Sequence, residues 1–175
     1  MDTKDIIKKI AKVHEATPDE ISAVIKNSEN DGFLFECADK VRREAYGTDV
    51  YIRGLIEFTN YCKNNCFYCG IRRDNRNIKR YRLSIDEIME CCEEGYKLGF
   101  RTFVLQGGED AGFTDDILCN MISGIKKRYS DCAVTLSMGE RTEESYKRLY
   151  DSGADRYLLR HETASKEHYG MLHPP

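Results

Sequence analysis

The sequence predicts an α/β fold in which four parallel strands alternate with helices, preceded by an N-terminal helical segment over residues 1–47. Up to residue 47, apolar residues recur at helical spacing, as in Ile6, Ile7 and Ile10. From residue 48 to residue 175, short apolar runs alternate with amphipathic stretches. Repeated β/α units of this kind form parallel sheets with right-handed crossovers. We therefore expect two segments, divided near residue 48.

Local signals define the helices of the N-terminal segment. Thr17-Pro18-Asp19-Glu20 places a capping residue, a proline at the first helical position and a glutamate at the third. A second run, from Leu34 to Ala45, has helical spacing, and Gly47 can end that helix. The segment is therefore predicted to consist of helices.

The β/α units are predicted in order along the rest of the chain. Buried strands are expected over residues 52–59, 102–106, 133–137 and 155–160. The helices that follow them are expected over residues 84–98, 115–129, 142–150 and 165–172. The first of these helices opens with the capping box Ser84-Ile-Asp-Glu87 and is closed by Gly99. A stripe of apolar residues predicts the buried face of the second: Leu118, Met121, Ile122, Ile125 and Tyr129.

Three cysteines follow the first predicted strand in the spacing Cys-x3-Cys-x2-Cys. They are Cys62, Cys66 and Cys69, with Tyr68 directly before the third. Three thiolates on a cubane iron–sulfur cluster leave one of its four irons free to bind a ligand. A structural zinc site is the alternative, although it needs four ligands and the loop has no fourth Cys or His. Burial as small apolar side chains is the other alternative.

The remaining five of the eight cysteines have structural explanations. Cys92 shares a helical stripe with Ile85 and Ile88, and Cys119 and Cys132 have apolar neighbours, so these three are predicted to be core thiols. Cys91 faces away from that stripe, and Cys37 is far along the chain from the three-cysteine spacing. No chemistry is assigned to any of the five.

The loops after the strands should meet at one edge of the sheet, where such folds bind ligands. Gly107-Gly108 is either a plain turn or a place where a ligand approaches the backbone. Glu109 could accept hydrogen bonds from an ammonium group and Glu162 from sugar hydroxyls, with solvated carboxylates as the alternative. The roles of His161 and Glu140 stay open.

Composition excludes several classes of partner. A net charge of −3 and apolar runs far shorter than the roughly 20 residues of a membrane span argue against nucleic-acid and membrane binding. Residues 71–82 hold six cationic side chains, which favours a solvated loop or a guide for a small anionic substrate over an RNA surface. The N-terminus lacks the pattern of a signal peptide, so we expect a cytoplasmic protein with free thiols.

Four sequence motifs can be compared with known families. They are the loop that carries Cys62, Cys66 and Cys69, the basic stretch that ends at Leu83, and the segments Val104-Leu-Gln-Gly-Gly-Glu-Asp110 and Arg160-His-Glu-Thr163. Together they resemble the radical S-adenosylmethionine superfamily, and within it the HydE family of [FeFe]-hydrogenase maturases. Biotin synthase and methylornithine synthase share the same core. The resemblance implies a partial TIM (β/α) barrel, the first four β/α units of eight, because a whole barrel needs about 250 residues.

The resemblance also implies the site. Cys62, Cys66 and Cys69 would hold a [4Fe-4S] cluster whose free iron binds S-adenosyl-L-methionine. Gly107, Gly108 and Glu109 match the motif that binds the methionine ammonium group, although many members have a serine where Gly107 stands. Glu162 matches the ribose contact and Tyr68 the aromatic residue near the adenine. The implied partners are a small-molecule or organometallic substrate, an electron donor such as ferredoxin or flavodoxin, and other maturases.

Overall fold

The computed structural model describes residues 2–174, which form two compact units divided between Tyr51 and Ile52. The first unit contains three helices and a short 3-10 helix. Their bounds are α1 Thr3–Val13, α2 Pro18–Lys26, the 3-10 helix Ser28–Asn30 and α3 Asp31–Tyr46. Helix α1 packs against both α2 and α3. The predicted capping box of α2 and the glycine end of α3 at Gly47 are both present.

The second unit is a parallel four-stranded sheet with the order β1-β2-β3-β4, as predicted. Each strand is followed by a helix. The strands are β1 Gly54–Thr59, β2 Thr102–Gly107, β3 Ala133–Ser137 and β4 Arg156–Tyr157. The helices are α4 Ile85–Lys97, α5 Asp115–Arg128, α6 Glu143–Asp151 and α7 Lys166–Leu172. The connection between β1 and α4 carries the three-cysteine loop and returns to pair with β1 at Thr59 and Arg82.

The core of this unit lies between the helices and one face of the sheet. Alternate strand residues are almost fully buried there, as two-residue strand periodicity requires: Phe58, Phe103, Leu105, Val134 and Leu136. Helix α5 buries the predicted stripe from Leu118 to Ile125 against them. Cys92 and Cys132 are buried in this core, and Cys119 packs against it. Ile85, expected on the buried stripe of α4, is instead exposed at the first turn of the helix.

Two predicted strands are longer than the observed ones. Strand β1 begins at Gly54 rather than at residue 52, and Ile52 is exposed. Strand β4 was predicted over residues 155–160 but contains only Arg156 and Tyr157. Within residues 2–174 it pairs with β3 alone, and their register ends with the pair Leu136 and Tyr157. The Leu158 N–H still donates to the Leu136 carbonyl of β3 at 2.7 Å, but Leu158 and Leu159 lie outside the strand, so apolar character alone overestimated its length.

Among the described residues, no strand pairs with the outer side of β1 or β4, and the region around β4 is apolar. Leu159 is 53% exposed and lines a groove of about 410 Å³ beside Leu136, Tyr150 and Tyr157. Unpaired edges of parallel sheets recruit partners.

No helix within residues 2–174 is long and apolar enough to cross a membrane.

We therefore expect the 175-residue chain to form dimers or larger species, measured by light scattering over a concentration series. Leu159→Lys should shift the population toward monomer, because it places a charge in the apolar groove beside the open edge. Leu98→Lys is the matched control, since Leu98 is exposed but lies outside both edge strands. A wild-type chain that stays monomeric at high concentration would contradict this expectation.

Candidate functional site

A cleft of about 820 Å³ lies where the strands end, and all eight predicted site residues line it. The loops after β1 and β2 and the segment after β4 each contribute. The eight residues are Cys62, Cys66, Tyr68, Cys69, Gly107, Gly108, Glu109 and Glu162. Glu140, on the loop after β3, also lines the cleft. His161 is exposed and is not part of the lining.

The cysteine loop presents three free, half-buried thiols to this cleft. The Cys69 N–H donates to the Cys66 carbonyl at 3.0 Å, which closes a tight turn around the last two cysteines. Burial raises the pKa of the Cys66 thiol, and the nearby thiols of Cys62 and Cys69 raise it further. Within residues 2–174, no three His, Cys, Asp or Glu side chains converge as ligands of a single ion. A cubane does not require such convergence, because its three thiolates bind three different irons.

The guanidinium group of Arg80 holds the backbone of the cysteine loop through hydrogen bonds. Arg80 is half-buried and donates only to backbone carbonyls, on segments that precede and follow the three cysteines. Its acceptors are the carbonyl oxygens of Asn60, Ile71 (2.8 Å), Arg72 (2.6 Å), Arg73 (3.4 Å) and Asn75 (3.2 Å). Arg80 thereby fixes both ends of the cysteine loop at once. This was not predicted, since the basic stretch was expected to face solvent or substrate.

The Gly107-Gly108 pair lies directly against the cysteine loop. A Cβ atom at Gly108 would stand 2.6 Å from the Cβ of Cys62 and would overlap the Tyr61 carbonyl, so only glycine fits here. A side chain at Gly107 would meet the Thr59 methyl group at 2.7 Å. A serine at this position would therefore require Thr59 to move. The two glycines let the loops after β1 and β2 come into contact.

The carboxylate of Asp110 stabilises the contact between the loops after β1 and β2. Its side chain is only 3% exposed, and it accepts from Arg82 Nε at 2.6 Å, Arg82 Nη2 at 2.8 Å, Thr59 Oγ1 at 2.7 Å and the Gly112 N–H at 2.8 Å. The Arg82 guanidinium also stacks over the Tyr61 ring at 3.9 Å. Burial acts to raise the pKa of Asp110, but the hydrogen bonds from Arg82, Gly112 and Thr59 outweigh it and hold the pKa below its ordinary value.

Asp110→Asn is expected to lower the free energy of unfolding by about 1–3 kcal/mol at pH 7, since charged, buried hydrogen bonds are lost. Because the pKa of Asp110 is lowered on folding, its contribution is complete above the ordinary value of 3.8 and is lost as the pH falls through the lowered pKa. The variant should lack that acid dependence. Urea titrations at several pH values measure both effects. Asp116→Asn is the control, because its pair with Arg148 leaves Asp116 81% exposed.

The last helix contacts the aromatic part of the cysteine loop. The Phe67 N–H donates to the Leu172 carbonyl at 3.0 Å. The Tyr68 hydroxyl lies 2.7 Å from His173 Nε2, while His173 Nδ1 lies 2.8 Å from the Tyr169 carbonyl. A carbonyl can only accept, so in the neutral ring Nδ1 carries the proton and Nε2 accepts from Tyr68. Tyr68 is thereby oriented, although half of it is exposed.

Glu162 follows β4 and lies close to Tyr68, whose pKa is raised by burial and, further, by the negative charge of Glu162. Its backbone has φ 60°, a left-handed conformation that is uncommon for a residue with a side chain. Such conformations concentrate at functional sites. Its side chain lines the same cleft as the three cysteines. The motif Arg160-His-Glu-Thr163 identified Glu162 from the sequence, but no local sequence feature predicted this backbone conformation.

The comparisons define the class of protein. A family model described as the radical SAM superfamily matches residues 56–174, and the chain belongs to that superfamily. It is 48% identical to the [FeFe] hydrogenase maturase subunit HydE of Thermotoga maritima over 81% of this chain and 40% of that protein. It is 29% identical to a 3-methylornithine synthase of Methanosarcina acetivorans over 94% of this chain and 47% of that protein.

A solved structure shows the same fold. The crystal structure of HydG, a maturase of the [FeFe]-hydrogenase, matches 99% of this chain with a TM-score of 0.84 and 30% identity. The match covers 40% of the HydG chain. This chain therefore spans less than half the length of each of these three relatives. The partial (β/α) barrel expected from the sequence agrees with this similarity.

Proposed function

We propose that this chain carries the cluster and S-adenosyl-L-methionine sites of a radical enzyme of the HydE type, acting in the maturation of [FeFe]-hydrogenase. One observation supports this most: three free cysteines share a single cleft with the Gly108-Glu109 backbone and with Glu162. The cysteines provide three soft ligands, and the two carboxylates provide acceptors for the polar groups of a ligand. The cleft is large enough for a nucleoside and an amino acid together.

The three thiols fit a [4Fe-4S] cluster, because one short loop supplies them as free thiols and Arg80 holds the backbone of that loop. When bound, the cluster supplies the electron that cleaves the sulfonium of S-adenosyl-L-methionine into methionine and a 5′-deoxyadenosyl radical. Glu109 would accept from the ammonium group and Glu162 from the ribose hydroxyls. Tyr68, which His173 orients, would border the adenine. The protein orients the ligand and excludes water.

The HydE type is favoured over related chemistries by sequence similarity. Identity to HydE is 48%, against 29% to 3-methylornithine synthase. The substrate would then be a small molecule or an organometallic precursor, the electron donor a ferredoxin or flavodoxin, and other hydrogenase maturases would be partners. The alternatives are biotin synthase-like or methylornithine synthase-like radical chemistry, and an iron–sulfur protein without turnover.

The test is anaerobic reconstitution of the 175-residue chain. We expect about four irons per chain, as a single cubane requires, and a change in the electron paramagnetic resonance spectrum of the reduced protein when S-adenosyl-L-methionine is added. Stoichiometric zinc with no iron uptake would contradict the proposal. Formation of 5′-deoxyadenosine after dithionite reduction separates an active enzyme from a protein that only binds the cluster.

In the reconstituted protein, Glu109→Ala and Glu162→Ala are each expected to weaken binding of S-adenosyl-L-methionine by about 1–3 kcal/mol, the usual cost of removing one partner of a charged or buried hydrogen bond. Isothermal titration calorimetry measures this. Glu144→Ala is the control, because Glu144 is an exposed carboxylate on α6 outside the cleft lining. Unchanged affinity in both cleft variants would count against the assigned roles.

A further inference from the structure

The carboxylate of Glu109 is unusually well fixed. Its Oε1 accepts from Asn64 Nδ2 at 2.9 Å and from the Glu140 N–H at 3.1 Å, and its side chain is only 14% exposed. Gly139, with φ 80°, lets the loop after β3 close over it, since a Cβ atom at this position would overlap the Glu109 side chain. One oxygen is thus committed to positioning the carboxylate.

The other oxygen of Glu109 faces a cation that comes from the protein itself. Oε2 lies 2.9 Å from Nζ of Lys63, which is its one ion-pair partner among the described residues. The Lys63 side chain is 68% exposed. The Lys63 backbone N–H also donates to the Glu109 carbonyl at 3.0 Å, so the main chain is fixed while the long side chain is largely exposed. Ion pairs with one exposed partner add little stability, so this ammonium group can leave readily.

We propose that Lys63 is an internal counter-ion that occupies the ammonium subsite of Glu109, and that an amino-acid ligand binds by exchanging its own ammonium group for that of Lys63. This inference rests on the proposed function, because it takes S-adenosyl-L-methionine as the ligand. Glu109 keeps its position and hydrogen bonds during the exchange, since Asn64 and Glu140 bind the other oxygen. The lysine ammonium group moves into solvent, and Glu109 is paired with a cation both before and after the exchange.

The exchange has a consequence for affinity. Lys63 competes with the ligand, so removing its ammonium group should make binding tighter rather than weaker. The strength of an exposed ion pair sets the size of this gain at about two- to fivefold in Kd. A lysine that instead contacted the ligand's carboxylate would give the opposite sign.

The experiment measures Kd for S-adenosyl-L-methionine by calorimetry in reconstituted wild type, Lys63→Met and Lys79→Met. Lys79→Met removes the same charge from the same connection, and no ion pair of Lys79 is found within residues 2–174. We expect Kd to fall about two- to fivefold in Lys63→Met and to stay unchanged in Lys79→Met. In a Glu109→Gln background, Lys63→Met should have no effect, because the competing pair is already broken.

The possible failures are distinguishable. If wild type binds and Lys63→Met binds equally well or more weakly, the exchange is wrong and the proposed function stands. If Lys79→Met gains as much affinity as Lys63→Met, the effect is general electrostatics and the exchange is again wrong. If the wild-type protein takes up iron but binds no S-adenosyl-L-methionine, both proposals fail.

Discussion

Alanine at Cys62, Cys66 or Cys69 is expected to abolish the visible charge-transfer absorbance of the reconstituted protein. The effect should be all-or-none in each case, because each thiolate binds a different iron and none can substitute for another. Iron analysis and absorbance after anaerobic reconstitution measure it. The structure supports equal effects, since all three thiols are half-buried on one loop that lines one cleft.

Cysteines elsewhere in the chain provide the controls. Cys91→Ala, on the exposed face of α4, and Cys37→Ala, in the first unit, should leave iron content and absorbance unchanged. These variants test whether losing a thiol outside the cysteine loop affects cluster binding, and we expect that it does not. Full iron uptake by a Cys62, Cys66 or Cys69 variant would be evidence against a three-thiolate cluster.

Arg80→Met is expected to lower iron incorporation at least tenfold, although Arg80 is not a cluster ligand. Its hydrogen bonds to five carbonyls hold both ends of the cysteine loop, and bonds from a charged donor contribute about 1.5–3 kcal/mol each. Loss of only about 1.4 kcal/mol of loop organisation is a factor of ten in a binding constant.

Arg76→Met is the matched control for Arg80. It removes the same charge and side chain from the same connection, but Arg76 is exposed and makes no hydrogen bond or ion pair within the described residues. Arg80→Lys keeps the charge without the planar fork of donors, so it should recover only part of the iron uptake. Equal uptake by the Arg80 and Arg76 variants would show that charge, not loop geometry, matters here.

The elements that the sequence predicted well are those with local causes. The capping boxes at Thr17 and Ser84 and the apolar stripe of α5 need only neighbouring residues to form, and all three are present. The short β4 has a different cause. Its extent depends on which of its residues pair with β3, and a run of apolar residues carries no information about that.

The same distinction applies to the site. Parallel strands bring their following loops to one edge, so the meeting of the cysteine loop with Glu109 could be expected from topology. The individual side-chain contacts could not be predicted from topology. Arg80 and Lys63 stand in a connection with many cations, and nothing in the sequence separates the one that binds carbonyls from the one that pairs with Glu109. Both contacts depend on distances that arise only after folding.

The contact between the cysteine loop and the end of α7 affects the order of events during synthesis. Phe67 and Tyr68 take their positions from Leu172 and His173, more than one hundred residues later in the chain. Contacts with such long sequence separation form late, because the intervening chain must be ordered first. During translation the loop therefore leaves the ribosome well before its supporting helix is made. If the loop takes up the proposed cluster, we therefore expect iron loading of the correctly shaped loop to follow, rather than guide, the folding of this sheet.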